Sequence, residues 1–163
     1  MDITWIIDRI GVGGGIWHSD AKMLELKEAG ITHIINMQRE VEDEELLGRE
    51  HGIEVLWNPT DDDFMPKEAS LFRCGVEFAE EALKDPGAKL FIHCAAGVHR
   101  APMMALAVLV WMKRDLKDGK KLDERLEEAR HLIEDKRPVA DFADVYVESV
   151  ERFLDDGLNH RGR

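Results

Sequence analysis

The sequence predicts an α/β fold in which helices flank a central, mostly parallel sheet. Apolar, β-branched segments of strand length alternate along the chain with segments of helical periodicity. Such alternation is typical of parallel sheets. Residues 101–113 are apolar on nearly every face, so we expect this helix in the middle of the fold. With 163 residues and no linker or repeat, the chain is expected to form one domain, residues 1–163.

The first half of the chain predicts three strands and two helices. Ser19 is a suitable N-cap for the first helix, and Gly30 suits its C-terminal end. A flexible turn is expected at residues 11–15, because these glycines lack the spacing of a nucleotide-binding loop. The predicted strands are residues 3–8, 31–37 and 53–58, and the predicted helices are residues 20–30 and 42–52.

The second half predicts a strand, four helices and two loops that carry polar groups. Prolines and acids mark residues 59–66 as a loop, and Cys74 is expected as a small core residue of the helix that follows. The loop at residues 94–100 comes directly after a predicted buried strand, which is where α/β folds bind ligands. The predicted strand is residues 88–93, and the predicted helices are residues 67–84, 101–113, 121–135 and 140–155.

Composition excludes several classes of protein. The net charge of −12 and the pI near 5.0 argue against partners such as nucleic acid or an anionic membrane, which require a basic surface. Two cysteines do not make a disulfide framework, and no zinc-site spacing occurs. The N-terminus lacks a secretory pattern, and residues 101–112 fall short of the ~20 apolar residues that span a bilayer. A cytoplasmic location is therefore expected.

The loop HCAAGVHR, residues 93–100, has the features of an anion-binding site. A tight loop before a helix turns its backbone N–H groups inward and adds them to the helix N-terminus. Small residues allow the backbone to close around the anion, and Pro102 suits the first turn of the helix. The expected substrate-binding residues are Ala95, Ala96, Gly97, Val98, His99 and Arg100.

Cys94 and Arg100 are the candidate catalytic residues of this loop. A helix N-terminus and nearby cations favour the thiolate form of a cysteine, which is the nucleophilic form. Arg100 has the planar guanidinium that donates two hydrogen bonds to a tetrahedral oxyanion. The pair is therefore suited to nucleophilic attack on a bound phosphoryl group.

The sequence resembles the cysteine-dependent dual-specificity protein phosphatases, whose signature is HCxxGxxR followed by Ser or Thr. The strand GITHIINM, the acidic loop DDDFMP, the signature and KRP at residues 136–138 occur in the family's order. Within the family, HCAAGVHRAP is similar to the plant glucan phosphatases, and GITHIINMQ and LWNPT resemble laforin. The resemblance implies attack by Cys94, protonation of the leaving oxygen by an aspartic acid, and hydrolysis of a cysteinyl-phosphate without cofactor or metal.

The loop offers three candidates for the aspartic acid. In many small relatives the acid directly precedes an aromatic residue with a proline shortly after, which favours Asp63 before Phe64. Counting forward from Pro59, as in laforin-like loops, gives Asp62 instead. His93 is expected to support the loop by hydrogen bonds, and His99 to face solvent or to add charge at the pocket rim. Ala101 replaces the family's hydroxyl, which predicts slow breakdown of the phosphoenzyme.

The expected substrate is a phosphorylated protein, or alternatively a phosphorylated small molecule or glucan. The side chains of residues 95–99 supply little fixed positive charge, which disfavours a polyanionic head group. Aromatic residues that could line a glucan channel are Trp17, Phe64, Phe142 and Tyr146. Two other functions stay open: a slow or inactive phosphate-binding module, and a rhodanese-like sulfurtransferase, for which the acidic loop would have no purpose.

Overall fold

The computed structural model describes residues 1–161, which form one mixed sheet with helices on both faces. The strands are β1 (Ile3–Ile7), β2 (Ile10–Gly13), β3 (His33–Gln38), β4 (Glu54–Thr60) and β5 (Leu90–His93). The helices are α1 (Asp20–Glu28), α2 (Glu44–Glu50), α3 (Ala69–Leu83), α4 (Arg100–Met112), α5 (Leu122–Lys136) and α6 (Asp144–Arg161). The predicted α/β class is therefore confirmed.

The sheet has the strand order β1-β2-β5-β3-β4. Strand β5 lies in the centre and pairs in parallel with both β2 and β3, and β3 pairs in parallel with β4. Only β1 is antiparallel among the described strands, and it forms a hairpin with β2. Because β5 is central, the loop that follows it lies at the middle of the sheet's carboxyl edge.

Strand β2 corrects the prediction of a flexible turn at residues 11–15. Residues Ile10–Gly13 are buried and paired on both sides. The glycines permit close backbone approach: a Cβ on Gly13 would lie 1.9 Å from the Asp2 carbonyl oxygen. A segment of four residues with two glycines shows no hydrophobic alternation, so the sequence pattern hid this strand.

The two faces of the sheet bury separate apolar clusters. Neighbouring residues of one strand point to opposite faces, so Ile34 packs in the smaller cluster with α1 and Ile35 in the larger one with α3–α6. Helix α4 is buried along its whole length from Arg100 to Trp111, as its apolar sequence predicts. This burial fixes the N-terminus of α4 against the end of β5.

The helix ends follow local capping with one correction. Ser19 caps α1 through a hydrogen bond from the Lys22 amide, and Gly30, with φ of 92°, follows the end of α1. Helix α6 begins at Asp144 rather than near residue 140, because the Asp141 amide donates to the Val98 carbonyl.

Cys74 is exposed rather than buried, since Gly75 and Val76 occupy the inner face of α3. Within residues 1–161, no helix is long and apolar enough to cross a membrane.

Candidate active site

Cys94 lies directly after β5 and faces the N-terminus of α4. Its Sγ accepts a hydrogen bond of 3.4 Å from the Ala101 amide, and the residue is 3% exposed. The positive end of the helix dipole and this N–H group both favour negative charge on sulfur. Helix α4 thus places a backbone donor and its positive end beside the Cys94 sulfur.

The residues between Cys94 and α4 form a loop, residues 94–99, that we call the cysteine loop. Within residues 1–161, the backbone amides of residues 95–99 have no hydrogen-bond acceptor. Gly97 makes the turn with φ of 68°, and a Cβ there would lie 2.5 Å from Arg137 Nη2. Unpaired amides in a tight loop at a helix N-terminus are a binding site for a tetrahedral anion.

Arg100 lies at the inner wall of this loop and is 5% exposed. Its Nη1 donates to the Thr60 carbonyl at 3.0 Å and lies 2.8 Å from a carboxylate oxygen of Glu40. Its Nε is buried, and no group among the described residues accepts its hydrogen bond. The guanidinium therefore retains a donor for an oxyanion, and the Glu40 carboxylate competes for the rest of it.

Arg137 supports the cysteine loop from behind, a role that the sequence did not indicate. Its Nε donates to the Gly97 carbonyl at 2.8 Å and its Nη2 to the Ala96 carbonyl at 3.1 Å. The guanidinium also makes two hydrogen bonds to the Asp2 carboxylate, which hold the pKa of Asp2 below its usual range. By occupying loop carbonyls, Arg137 keeps the loop in a conformation that leaves its amides free.

His93 supports the same loop from the side of α2. One ring nitrogen, Nε2, is 2.6 Å from Glu44 Oε2, and the other is 3.2 Å from the Cys94 carbonyl oxygen. Both side chains are fully buried, so water does not compete for this pair. The contact fixes the backbone of Cys94 relative to α2.

The three aspartates of the acidic loop, residues 61–66, have different partners. Asp61 pairs with Arg39 at 3.1 Å. Asp63 pairs with Lys67 at 2.8 Å, and hydrogen bonds from Lys67 and from the Met65 amide lower the pKa of Asp63. Only Asp62 contacts the cysteine loop among the three, because its Oδ2 is 2.9 Å from His99 Nδ1.

Tyr146 of α6 holds the acidic loop in place. Its hydroxyl donates to Asp62 Oδ1 at 3.0 Å and accepts from the Phe64 amide at 3.1 Å. Burial and the neighbouring Asp62 raise the pKa of Tyr146 to about 12, so the hydroxyl keeps its proton at neutral pH. The ring of Phe64, whose φ is 55°, stacks on that of Tyr146.

The structure also shows the surroundings of His99 and of four aromatic residues. His99 is not free in solvent, because both ring nitrogens contact carboxylates, Nδ1 that of Asp62 and Nε2 that of Asp141. Of the aromatic residues considered for a glucan channel, Tyr146 and Phe142 are buried, whereas Trp17 and Phe64 are about half exposed. In the part of the chain that the structure describes, no three His, Cys, Asp or Glu side chains are grouped so as to hold a metal ion.

Comparison with known proteins identifies the family of this fold and site. A family model, "Dual specificity phosphatase, catalytic domain", matches residues 17–148. Dual specificity protein phosphatase 26 of Homo sapiens is 35% identical over 92 residues, which cover 53% of this chain and 41% of that protein. The chain thus matches about two fifths of the length of that relative.

Solved structures share the fold across nearly the whole chain. PTPMT1 superposes with a TM-score of 0.79 and 20% identity, covering 98% of both chains, and its complex with PI(5)P gives 0.76. Tk-PTP in the active form gives a TM-score of 0.70 and 22% identity, covering 98% of this chain and 97% of that chain. The model of the catalytic domain matches residues 17–148, most of the chain, and this chain therefore belongs to the dual specificity phosphatase family.

Proposed function

We propose that this chain hydrolyses phosphomonoesters through a cysteinyl-phosphate intermediate formed on Cys94. The observation that carries the proposal is the surroundings of Cys94 Sγ. It lies at the N-terminus of α4, near the unpaired amides of residues 95–99 and the Nε of Arg100, which has no hydrogen-bond acceptor among the described residues. A thiolate at this point faces the phosphorus of a phosphate held by those donors.

In the first step, Cys94 Sγ attacks phosphorus, and the bond from phosphorus to the leaving oxygen breaks. The leaving oxygen takes a proton from an aspartic acid, which becomes a carboxylate. Negative charge stays on the equatorial oxygens, where the loop amides and Arg100 stabilise it. In the second step, the carboxylate takes a proton from water as the water oxygen attacks phosphorus. The S–P bond breaks, and the thiolate and inorganic phosphate are released.

We assign the proton-transfer role to Asp62 rather than to Asp63. Asp62 is held against the cysteine loop by His99 and Tyr146. Asp63 instead pairs with Lys67, and its lowered pKa keeps it ionised, which is unsuitable for an acid. The preference for Asp63 from the aromatic residue that follows it therefore gives way to the alternative, Asp62.

We propose a phosphorylated protein as the substrate class. PTPMT1 forms a complex with PI(5)P, but the cysteine loop here carries no Lys or Arg at residues 95–99. Carboxylates of Glu40, Asp62 and Asp141 surround the loop and repel a second phosphate on the same molecule. A glucan receives less support, because Phe142 and Tyr146 are buried and have no exposed ring faces.

Turnover of two aryl phosphates by four variants tests the proposal. Phenyl phosphate has a poor leaving group that needs an acid, whereas p-nitrophenyl phosphate needs one much less. We expect Cys94→Ser to be inactive on both, and Asp62→Asn to lose about 100-fold on phenyl phosphate and far less on p-nitrophenyl phosphate. Asp61→Asn and Asp63→Asn serve as matched controls for lost charge and should stay within about threefold of the wild type.

Three outcomes would contradict parts of this proposal. Full turnover by Cys94→Ser would exclude the cysteine mechanism. A selective loss on phenyl phosphate in Asp63→Asn rather than Asp62→Asn would return the acid role to Asp63. A wild-type protein that binds vanadate but hydrolyses neither ester would be a phosphate-binding module.

A further inference from the structure

Four side chains form a continuous row of contacts in the order Asp141, His99, Asp62 and Tyr146. Asp141 Oδ2 lies 3.2 Å from His99 Nε2, and His99 Nδ1 lies 2.9 Å from Asp62 Oδ2. Tyr146 donates to the second oxygen of Asp62 at 3.0 Å. Every polar atom of the imidazole and of the Asp62 carboxyl group thus has a partner within this set, which we call the Asp141–His99–Asp62 relay.

We propose that His99, oriented by Asp141, stores the proton that Asp62 delivers to the leaving oxygen. The inference deepens the proposed function and rests on Asp62 being its general acid. The side chain of His99 contacts Asp62 and Asp141, so it acts through Asp62 as a positioning and proton-storing residue. His99 directly precedes Arg100, so the cysteine loop itself positions the His99 side chain.

Two arrangements of one proton satisfy the observed distances. In the first, His99 is an imidazolium that donates from Nδ1 to Asp62 and from Nε2 to Asp141, and both carboxyl groups are ionised. In the second, Asp62 is protonated and donates to Nδ1, while Nε2–H still donates to Asp141. The total charge is the same in both, so transfer along a 2.9 Å contact converts one arrangement into the other.

Carboxyl groups from two different segments face the His99 ring. The acidic loop contributes Asp62, and the segment between α5 and α6 contributes Asp141, both as anions beside the ring. Tyr146 of α6 contributes a neutral hydroxyl, and Asp63 on the acidic loop is paired with Lys67. The next cation along the chain, Arg100, is paired with Glu40.

Two further contacts join the relay to neighbouring residues. The ring of Phe64 lies edge-on to His99, with 5.0 Å between the ring centroids. The Asp141 amide donates to the Val98 carbonyl at 2.8 Å, which ties the outer end of the relay to the cysteine loop. Asp141 itself is largely exposed, so the relay can exchange protons with solvent at that end.

The relay extends the two proposed chemical steps without adding a reactant. Before attack, the Nδ1 proton moves to Asp62 Oδ2, and Asp62 then donates a proton to the leaving oxygen as the P–O bond breaks. His99 is left neutral, with its remaining N–H on Nε2 donated to Asp141. When Asp62 takes a proton from the attacking water, that proton can return to Nδ1, and the resting state is restored.

The pH dependence of kcat/KM for phenyl phosphate tests the relay. His99→Asn keeps an N–H group for Asp62 but cannot give up its proton, and Asp141→Asn keeps an acceptor for Nε2 but removes its charge. We expect the alkaline limb to move to lower pH in both, more in His99→Asn, with kcat falling about tenfold near neutral pH and KM little changed. Asp144→Asn removes a charge nearby and should match the wild type.

Two further readouts separate the relay from a structural role. On p-nitrophenyl phosphate the same variants should lose less than about twofold, because this leaving group hardly needs the acid. In nitrogen-detected NMR, the ring titration of His99 should move to lower pH in Asp141→Asn. An unmoved alkaline limb, equal losses on both esters, or an unchanged ring titration would overturn the inference.

The outcome for the relay is distinct from that for the mechanism. If Cys94→Ser and Asp62→Asn lose activity while His99→Asn and Asp141→Asn keep wild-type pH profiles, only the relay is wrong. If Cys94→Ser retains activity, the proposed function itself fails. Should His99→Asn not fold, the exposed side chain of Asp141 allows Asp141→Asn to carry the test alone.

Discussion

Ala101 places a methyl group beside the proposed nucleophile, Cys94, where the HCxxGxxR signature continues with a hydroxyl residue. The residue is fully buried, and its amide donates to Cys94 Sγ at 3.4 Å, so its side chain starts next to the sulfur that leaves in the proposed second step. The amide and the helix dipole still stabilise the thiolate. A hydroxyl donor is the one stabilising group that this position lacks.

Ala101→Ser should therefore speed breakdown of the cysteinyl-phosphate. A hydrogen bond to a charged group is worth enough for an increase of about tenfold in that step. In rapid mixing with p-nitrophenyl phosphate, we expect a burst of product from the wild type and a smaller burst with faster steady turnover from Ala101→Ser. A wild-type trace without a burst would show that attack, rather than breakdown, limits the rate.

The contact between Glu40 and Arg100 leads to a second prediction about a single residue. Its carboxylate lies 2.8 Å from Arg100 Nη1, where it competes with an incoming oxyanion for the guanidinium. Because Glu40 is nearly half exposed, the pair has the strength of a surface ion pair. Glu40→Gln should tighten vanadate binding by about two- to fivefold, measured by inhibition of turnover. Weaker binding would mean that Glu40 orients Arg100 instead of competing for it.

At the scale of elements, the N-terminal hairpin and the cysteine loop are joined by one guanidinium. Arg137, just beyond α5, donates to loop carbonyls and to the Asp2 carboxylate next to β1. The residue is 4% exposed, so removing it would leave buried carbonyls without a donor at a cost of about 1–3 kcal/mol each. The hairpin, the loop and α5 are therefore expected to unfold together.

The free energy of unfolding at acidic pH tests the contact between Arg137 and Asp2. Hydrogen bonds from Arg137 lower the pKa of Asp2 below 3.8 in the folded protein, so the unfolded chain takes up the proton first as the pH falls. The stabilisation from this pair is complete above that pH and is lost as the pH falls through the folded pKa. Urea unfolding from about pH 7 to about pH 3 should show a stability gap between wild type and Asp2→Asn that narrows at the acid end.

Asp20→Asn is a suitable control for that measurement, because Asp20 is an exposed acid paired only with a histidine side chain in the described contacts. This variant removes one exposed carboxylate and leaves the contacts of Arg137 in place. A constant gap for Asp2→Asn down to the lowest pH would mean that Arg137 does not favour the ionised form of Asp2 in solution.

At the scale of the whole molecule, some features followed from local patterns and others required contacts between distant residues. Three features were predictable because each depends on consecutive residues: the apolar helix α4, the alternation of strands and helices, and the tight loop after β5. Strand β2 was not, since its two glycines serve a close approach to the chain at Asp2. The contacts of Arg137 with Gly97 and of Asp141 with His99 were also unpredictable, because each joins residues 40 or more positions apart.

The choice of one aspartate in the acidic loop also depends on contacts between distant residues. Three adjacent aspartates have almost the same local sequence, and the aromatic residue after Asp63 favours Asp63, whereas we propose Asp62 from its contacts. What separates Asp62 from Asp63 is Tyr146, which lies 84 residues away and holds one carboxylate oxygen of Asp62. Tertiary contacts of this kind select one carboxyl group from a run, and no local pattern reports them.

The central claim is that Cys94 carries the phosphoryl group, and trapping that intermediate tests it most directly. Wild type and Asp62→Asn would be mixed with p-nitrophenyl phosphate and quenched in acid, and the peptide containing Cys94 examined by mass spectrometry. We predict a phosphoryl adduct on Cys94, more abundant in Asp62→Asn because the base of the second step is missing, and absent from Cys94→Ser. Steady hydrolysis with no adduct on Cys94 at any time, or with the adduct on another residue, would contradict the account.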